Sequence, residues 1–235
     1  MIAVRRTLLG SLIVAILNAV PLHGQRAVAP DVGIDHIILR ATNLARGIEA
    51  FTRLTGVVPT RGGQHPGRGT ENALVSLGAD HYLELLAPIP SGHDSVAGAP
   101  EDTVPLRPAG WAVHTRDLET LIARVGAAGF PLVGPTPGSR RALDGTLLEW
   151  RTAGTSNPGL TLAPFFIEWG SGTAHPSRTS PGGCRLVSLG LVQPDTTELS
   201  AFLRAAGYEP VLEAGTRPAM RVVLDCPRGR VSFAS

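Results

Sequence analysis

The sequence predicts an α+β fold built on a repeated unit: one strand, one capped helix, then further strands. Three observations predict it. A strand-like run leads three times into an amphipathic helix that ends on glycine, within residues 34–56, 110–130 and 185–208. The spacing repeats, because Gly56 follows Asn43 by 13 residues, while Gly129 and Gly207 each follow Asp117 and Asp195 by 12. The capping residues themselves recur after 74 and 78 residues, so each unit is long enough to hold one helix among several strands.

Each helix has its own physical justification. Leu44, Ile48, Phe51 and Leu54 form one stripe; Leu118, Leu121, Ile122 and Val125 form a second; Leu199, Phe202 and Leu203 form a third. Asn43, Asp117 and Asp195 are suited to N-caps, and Asp195 with Glu198 has the capping-box spacing. Gly56, Gly129 and Gly207 suit the left-handed position past a helix end. Strands are expected at 57–60, 72–77 and 82–87 in the first unit and at 131–133, 146–150 and 165–169 in the second. The third unit offers 209–212, 221–224 and 231–233, and Asp144-Gly145 reads as a hairpin turn.

Composition bounds the function. With 43% hydrophobic and 17% charged residues the chain is ordinary globular material. Residues 1–24 differ: Arg5 and Arg6 precede an apolar stretch too short to span a bilayer, so a cleaved signal peptide ending at Gly24 is expected, with a periplasmic or secreted product. Its removal takes the formal charge from +2 to 0. No basic stripe argues for nucleic acid, and no membrane association is expected after cleavage. All 21 basic residues are arginine, which excludes Schiff-base chemistry and a P-loop lysine. Cys184 and Cys226 are the only cysteines. In an oxidising compartment they are expected to join the first strand of the third unit to its third, the alternative being two buried thiols.

The strand–helix–strand–strand–strand order resembles the βαβββ module of the vicinal oxygen chelate, or glyoxalase-like, superfamily. Residues carry the resemblance too: the Asp-His pair in Ile34-Asp35-His36-Ile37, the glutamate of Tyr82-Leu83-Glu84-Leu85-Leu86, and its echo in Phe165-Phe166-Ile167-Glu168-Trp169. The glycine-rich stretch 62–72 and Ala174-His175-Pro176-Ser177 look like one glyoxalase-like branch of it. The similarity covers residues 33–178 well and the third unit more weakly. It implies paired βαβββ modules at 33–90 and 109–178, of the glyoxalase/bleomycin-resistance/dioxygenase type, enclosing a cleft. Residues 183–235 would add a third, partial βαβββ-like module.

A carboxylate inside an apolar strand is costly unless it is paired, hydrogen-bonded or bound to a metal. Glu84 and Glu168 both pose that problem. Two readings are open: both face one cleft, or each points outward from a half-exposed strand. The resemblance implies His36, Glu84 and Glu168 as ligands of a divalent ion (Zn, Mn, Ni or Fe(II)), with Glu84 or Glu168 as catalytic base. The sequence departs from the pattern at the fourth ligand, where counting back from Asp117 reaches Gly110. His114, farther along that strand, is expected to line the pocket or the core instead. His65, Asn72, Arg140 and His175 complete the candidate substrate-binding residues; Arg140 could hold an anionic group through its planar fork. The functional expectation is an exported protein acting on a small oxygenated metabolite as a lyase, isomerase or dioxygenase. The alternative is a metal-free binding protein of the bleomycin-resistance type, and the chain is expected as a monomer or homodimer.

Overall fold

A computed structural model describes residues 32–90, 106–209 and 211–235. The expected export segment, residues 1–24, lies outside them. The first module comprises β1 (Gly33–Arg40), α1 (Leu44–Thr55), β2 (Thr60–His65), β3 (Thr70–Ser76) and β4 (Tyr82–Pro88). The second comprises β5 (Arg107–His114), α2 (Leu118–Ala127), β6 (Val133–Arg141), β7 (Leu147–Gly154) and β8 (Phe165–Trp169). A single-turn helix α3 (Pro176–Thr179) leads to β9 (Arg185–Gln193), α4 (Thr197–Ala205), β10 (Val211–Ala214), β11 (Ala219–Cys226) and β12 (Gly229–Ala234).

The two modules share one eight-stranded sheet of order β2-β3-β4-β1-β5-β8-β7-β6. Within each module the first strand pairs in parallel with the last, β1 with β4 and β5 with β8. Across the modules β1 and β5 pair antiparallel, so a pseudo-twofold axis runs between them. The two edge strands, β2 and β6, also approach each other. The Arg140 guanidinium donates to the Gly62 carbonyl across that seam. Gly63, at φ 133°, lies so close to β6 that a side chain there would collide with the Arg141 carbonyl. The sheet therefore curls into a half-barrel around a cleft.

Both edge strands begin where the expected strands at 57–60 and 131–133 end and run on beyond them, for one reason. β6 contains Pro135 and Pro137, and β2 contains Gly62 and Gly63, residues that argue against a central strand. An edge strand has one unpaired side and tolerates them. The helix caps are as expected at Asn43 and Asp117, whose side chains accept from Arg46 N at 3.1 Å and Thr120 N at 2.9 Å. At the third helix the cap shifts: α4 starts at Thr197, whose N–H is taken by Asp195 Oδ1 at 2.8 Å. Glu198 closes no capping box and instead accepts from Asn157 Nδ2 at 2.8 Å.

The third unit keeps the strand–helix–strand–strand–strand chain order but pairs its strands differently. Its sheet runs β10-β9-β11-β12, so β9 takes its parallel partner from the strand directly after the helix, not from the last strand. A disulfide between Cys184 and Cys226 ties the start of β9 to the end of β11. The unit packs over the helix-bearing face of the main sheet. Phe202 of α4 meets Phe166 and Phe130, with ring centroids 5.9 and 5.7 Å away, and Phe51 of α1 stacks on Phe233 at 6.2 Å. Phe51, Phe166 and Phe202 are fully buried, each contributing about 1.5–3 kcal/mol. One core thus fills one face of the main sheet and leaves the other for the cleft. Among the described residues no helix is long and apolar enough to cross a membrane.

Candidate active site

Alternation along β1 sends Ile37 and Leu39 into the core and His36 and Ile38 toward the cleft. Asp35 breaks the alternation. Between the pairs Ile34–Val113 and His36–Ala112, β1 spends two residues where β5 spends one, a bulge centred on Asp35. Bulges re-aim side chains, and here the neighbouring carboxylate and imidazole meet, with Asp35 Oδ1 2.6 Å from His36 Nδ1.

Asp35 has no exposed surface, yet its oxygens are well served. Oδ2 accepts from Trp169 Nε1 at 2.9 Å and lies 3.1 Å from His175 Nε2. Burial works to raise its pKa, but hydrogen bonds from His175 and His36, with their charges, hold the carboxyl well below the usual carboxylate range. An ionised Asp35 requires the proton of His36 to sit on Nδ1, leaving Nε2 as the reactive atom. The imidazole is clamped by Tyr82, stacked at 4.7 Å, and by the edge of Phe165 at 5.4 Å. Desolvation pushes Tyr82 well above its ordinary pKa, and the Asp35 and Glu84 charges add to this, so it stays a neutral wall.

β4 lies beside β1 with Ile38 opposite Glu84, which places Glu84 one step diagonally from His36. His36 Nε2 and Glu84 Oε2 are 3.7 Å apart, both buried. Glu84 Oε1 accepts from Asn72 Nδ2 at 2.7 Å, from the next strand. Asn72 Oδ1 is buried without a partner among the described residues. That costs about 1–3 kcal/mol, and the amide is held in this orientation because only its NH₂ can donate to a carboxylate. His65 and Arg140 face the same space. His65 Nδ1 is 3.1 Å from Thr70 Oγ1, and burial lowers its pKa. The cleft these residues line measures about 150 Å³, with Trp150, Phe165 and Ile167 on its far wall.

The structure corrects the placement of Glu168. On β8, Phe165, Ile167 and Trp169 face the cleft, so Glu168 points the other way. Its Oε2 accepts the Leu118 N–H at 2.7 Å, at the start of α2, and its Oε1 pairs with Arg151 Nη2 at 2.6 Å. The carboxylate is compensated as the apolar strand demands, by a helix N-terminus and an arginine. Glu168 is thus one residue out of phase with the cleft-facing positions of β8, and a one-residue shift changes face.

His114 and His175 also lie outside the cleft. They line a neighbouring depression of about 570 Å³ that shares Trp169 with it. His114 packs its ring against Gly33, whereas His175 reaches the site through Asp35. His175 is anchored by Ser177, whose Oγ is 2.7 Å from Nδ1 and donates to the Ala79 carbonyl at 2.6 Å. Sequence reading gave no role to Asp35, Trp169 or Ser177. The signal available for Asp35 was its adjacency to a histidine inside an apolar strand.

Residues 34–207 match the glyoxalase-like domain family. The chain belongs to that family. This glyoxalase-like protein shares its fold with a hypothetical protein from Staphylococcus aureus, at 17% identity and TM-score 0.59, over 86% of this chain and 85% of that one. Methylmalonyl-CoA epimerase from Mycobacterium tuberculosis aligns at 21% identity and TM-score 0.42, over 58% of this chain and 87% of that one. A hypothetical protein from Bacillus halodurans aligns at 16% and 0.43, over 61% and 98%. No curated protein matches the sequence. Membership in the vicinal oxygen chelate superfamily raises the question of a divalent metal, and the donor set does not fit one. His36 and Glu84 offer one nitrogen and one carboxylate, while β8 gives the cleft only Phe165, Ile167 and Trp169, none of which can ligate an ion. Among the described residues no group of three or more His, Cys, Asp or Glu side chains could hold a metal ion.

Proposed function

We propose that the cleft binds a small oxygenated molecule and moves a proton on it, with His36 and Glu84 as the acid–base pair. The observation that supports this is the buried series Asp35–His36–Glu84–Asn72, with spacings of 2.6, 3.7 and 2.7 Å. Its outer members brace the inner two. Asp35 fixes the imidazole and stabilises the imidazolium formed when Nε2 takes up a proton. Asn72 pins one oxygen of Glu84 and leaves Oε2 toward His36. One of the two bases removes a proton from a carbon next to a carbonyl, the C–H electron pair moves onto the oxygen as an enolate, and the other returns a proton. No oxidant or reductant is needed, which places the reaction among isomerisations, epimerisations or eliminations.

Small 2-oxo, 2-hydroxy and catecholic compounds, screened by NMR for binding and turnover, test the reading. Turnover is expected for wild type, with Glu84→Gln and His36→Gln slower by about 10²–10⁴-fold while still binding. Unchanged turnover in either variant would reject the assignment. Binding without turnover in wild type would favour the sequestering alternative, for which the aromatic walls Tyr82, Trp150 and Phe165 are suited.

We also propose that the protein is exported. The apolar segment after Arg6 and the Cys184–Cys226 disulfide support this. Mass spectrometry of material from a native host is expected to find an N-terminus near Gln25 outside the cytoplasm. An intact N-terminus in the cytosol would end the idea.

A further inference from the structure

Arg140 is the most expensive unexplained group in the cleft. It is 6% exposed. Burial of a guanidinium without a counter-charge is strongly unfavourable. Among the described residues no carboxylate lies within 4.0 Å of it, and its one hydrogen bond is from Nη1 to the neutral Gly62 carbonyl. Arg140 lines the cleft and also two neighbouring depressions on the β2–β6 side. Glu84 is near enough to act on Arg140 electrostatically, but its oxygens are turned to Asn72 and His36.

The charge balance of the lining points the same way. Arg68 joins Arg140 there, against Glu84 as the sole carboxylate among the described residues. A space of about 150 Å³ suits a small molecule rather than a large one. A guanidinium's planar fork matches a carboxylate better than any neutral oxygen.

We infer that the ligand of this cleft is a small carboxylate, gripped by Arg140, with its neighbouring carbon turned to Glu84 and His36. This rests on the acid–base reading for the role of Glu84 and His36, whereas the grip on the carboxylate stands on Arg140 alone. Rejecting simple neutral ketones and diols is the specificity that such a site would confer.

The test uses the full chain and thermal unfolding with acetate, pyruvate and lactate, each beside a neutral partner: acetamide, hydroxyacetone and propane-1,2-diol. The carboxylates are expected to raise the wild-type unfolding midpoint and the neutral compounds to leave it in place, since only ligands of the native state stabilise it. Arg140→Gln should weaken carboxylate binding by about 10- to 100-fold. Arg140→Lys, which keeps a donor for Gly62 and a point charge, should fall between and guards against a folding defect in the first variant. Equal shifts from charged and neutral members, no shift from any carboxylate in wild type, or undiminished binding in a folded Arg140→Gln would each overturn the inference. Glu84→Gln separates the two readings: it should retain carboxylate-dependent stabilisation even where turnover is lost.

Discussion

Replacing Asp35 with alanine is expected to destabilise the protein by about 3–5 kcal/mol, because it strips the counter-charge from a buried polar group. Three donors converge on that carboxylate: His36 Nδ1, His175 Nε2 and Trp169 Nε1. Asp35→Asn is the gentler case, because an amide still offers one oxygen to at least one donor and should cost about 1–3 kcal/mol. Equilibrium urea unfolding measures both. The pH dependence carries a sign. Asp35 is depressed from its ordinary 3.8, burial being outweighed by the His175 and His36 hydrogen bonds. A depressed carboxyl contributes stability that is present above its unfolded value and is lost as pH falls through the folded one. The gap between wild type and Asp35→Asn should therefore narrow below about pH 4. An unfolding midpoint unchanged by Asp35→Ala would show that the three contacts do not form.

The second large effect is at the seam between β2 and β6. Gly63→Ala should cost about 1–3 kcal/mol in backbone strain at φ 133°, and more because the new Cβ meets the Arg141 backbone. The carbonyl cannot swing aside as a flexible side chain would, so β6 must move. Arg140 sits on that strand, hence ligand binding should weaken along with stability. Gly67, in the short turn between β2 and β3, has open space around its Cβ position, and Gly67→Ala should stay within about 0.5 kcal/mol of wild type. Equal urea midpoints for the two alanine variants would mean that the edges do not meet.

Much of this was legible in the sequence, and what was hidden was hidden for physical reasons. Helix caps and glycine stops act locally, so Asn43, Asp117, Gly56 and Gly207 announce their elements without help from the fold. The edge strands β2 and β6 stayed obscure because glycine and proline are penalised only where both strand sides are paired. Strand pairing in the third unit was equally out of reach, since chain order is the same for either arrangement. In the site, His36, Glu84, His65, Asn72 and Arg140 all line one cleft; Glu84 stood out as a carboxylate in an apolar strand, His65 and Asn72 through their glycine-rich stretch, Arg140 for its planar fork and His36 through the family resemblance. Glu168 stood out for the same sound reason, but a buried carboxylate reports only that it has a partner. Its partner is the first turn of α2, which alternation along β8 reveals once the register is known. The bulge at Asp35, on which the orientation of His36 depends, leaves no mark in a strand that is apolar on both faces.

The central claim is that His36 and Glu84 form a braced acid–base pair facing one small cleft. Exchange of a carbon-bound proton with solvent tests it most directly. In D₂O, wild-type protein is expected to wash deuterium into a C–H position next to a carbonyl of a small acid that it binds, C2 of lactate or C3 of pyruvate, as followed by proton NMR. Glu84→Gln should bind the same acid and exchange it about 10²–10⁴-fold more slowly. Equal exchange rates in the two proteins, with binding intact in both, would contradict the account.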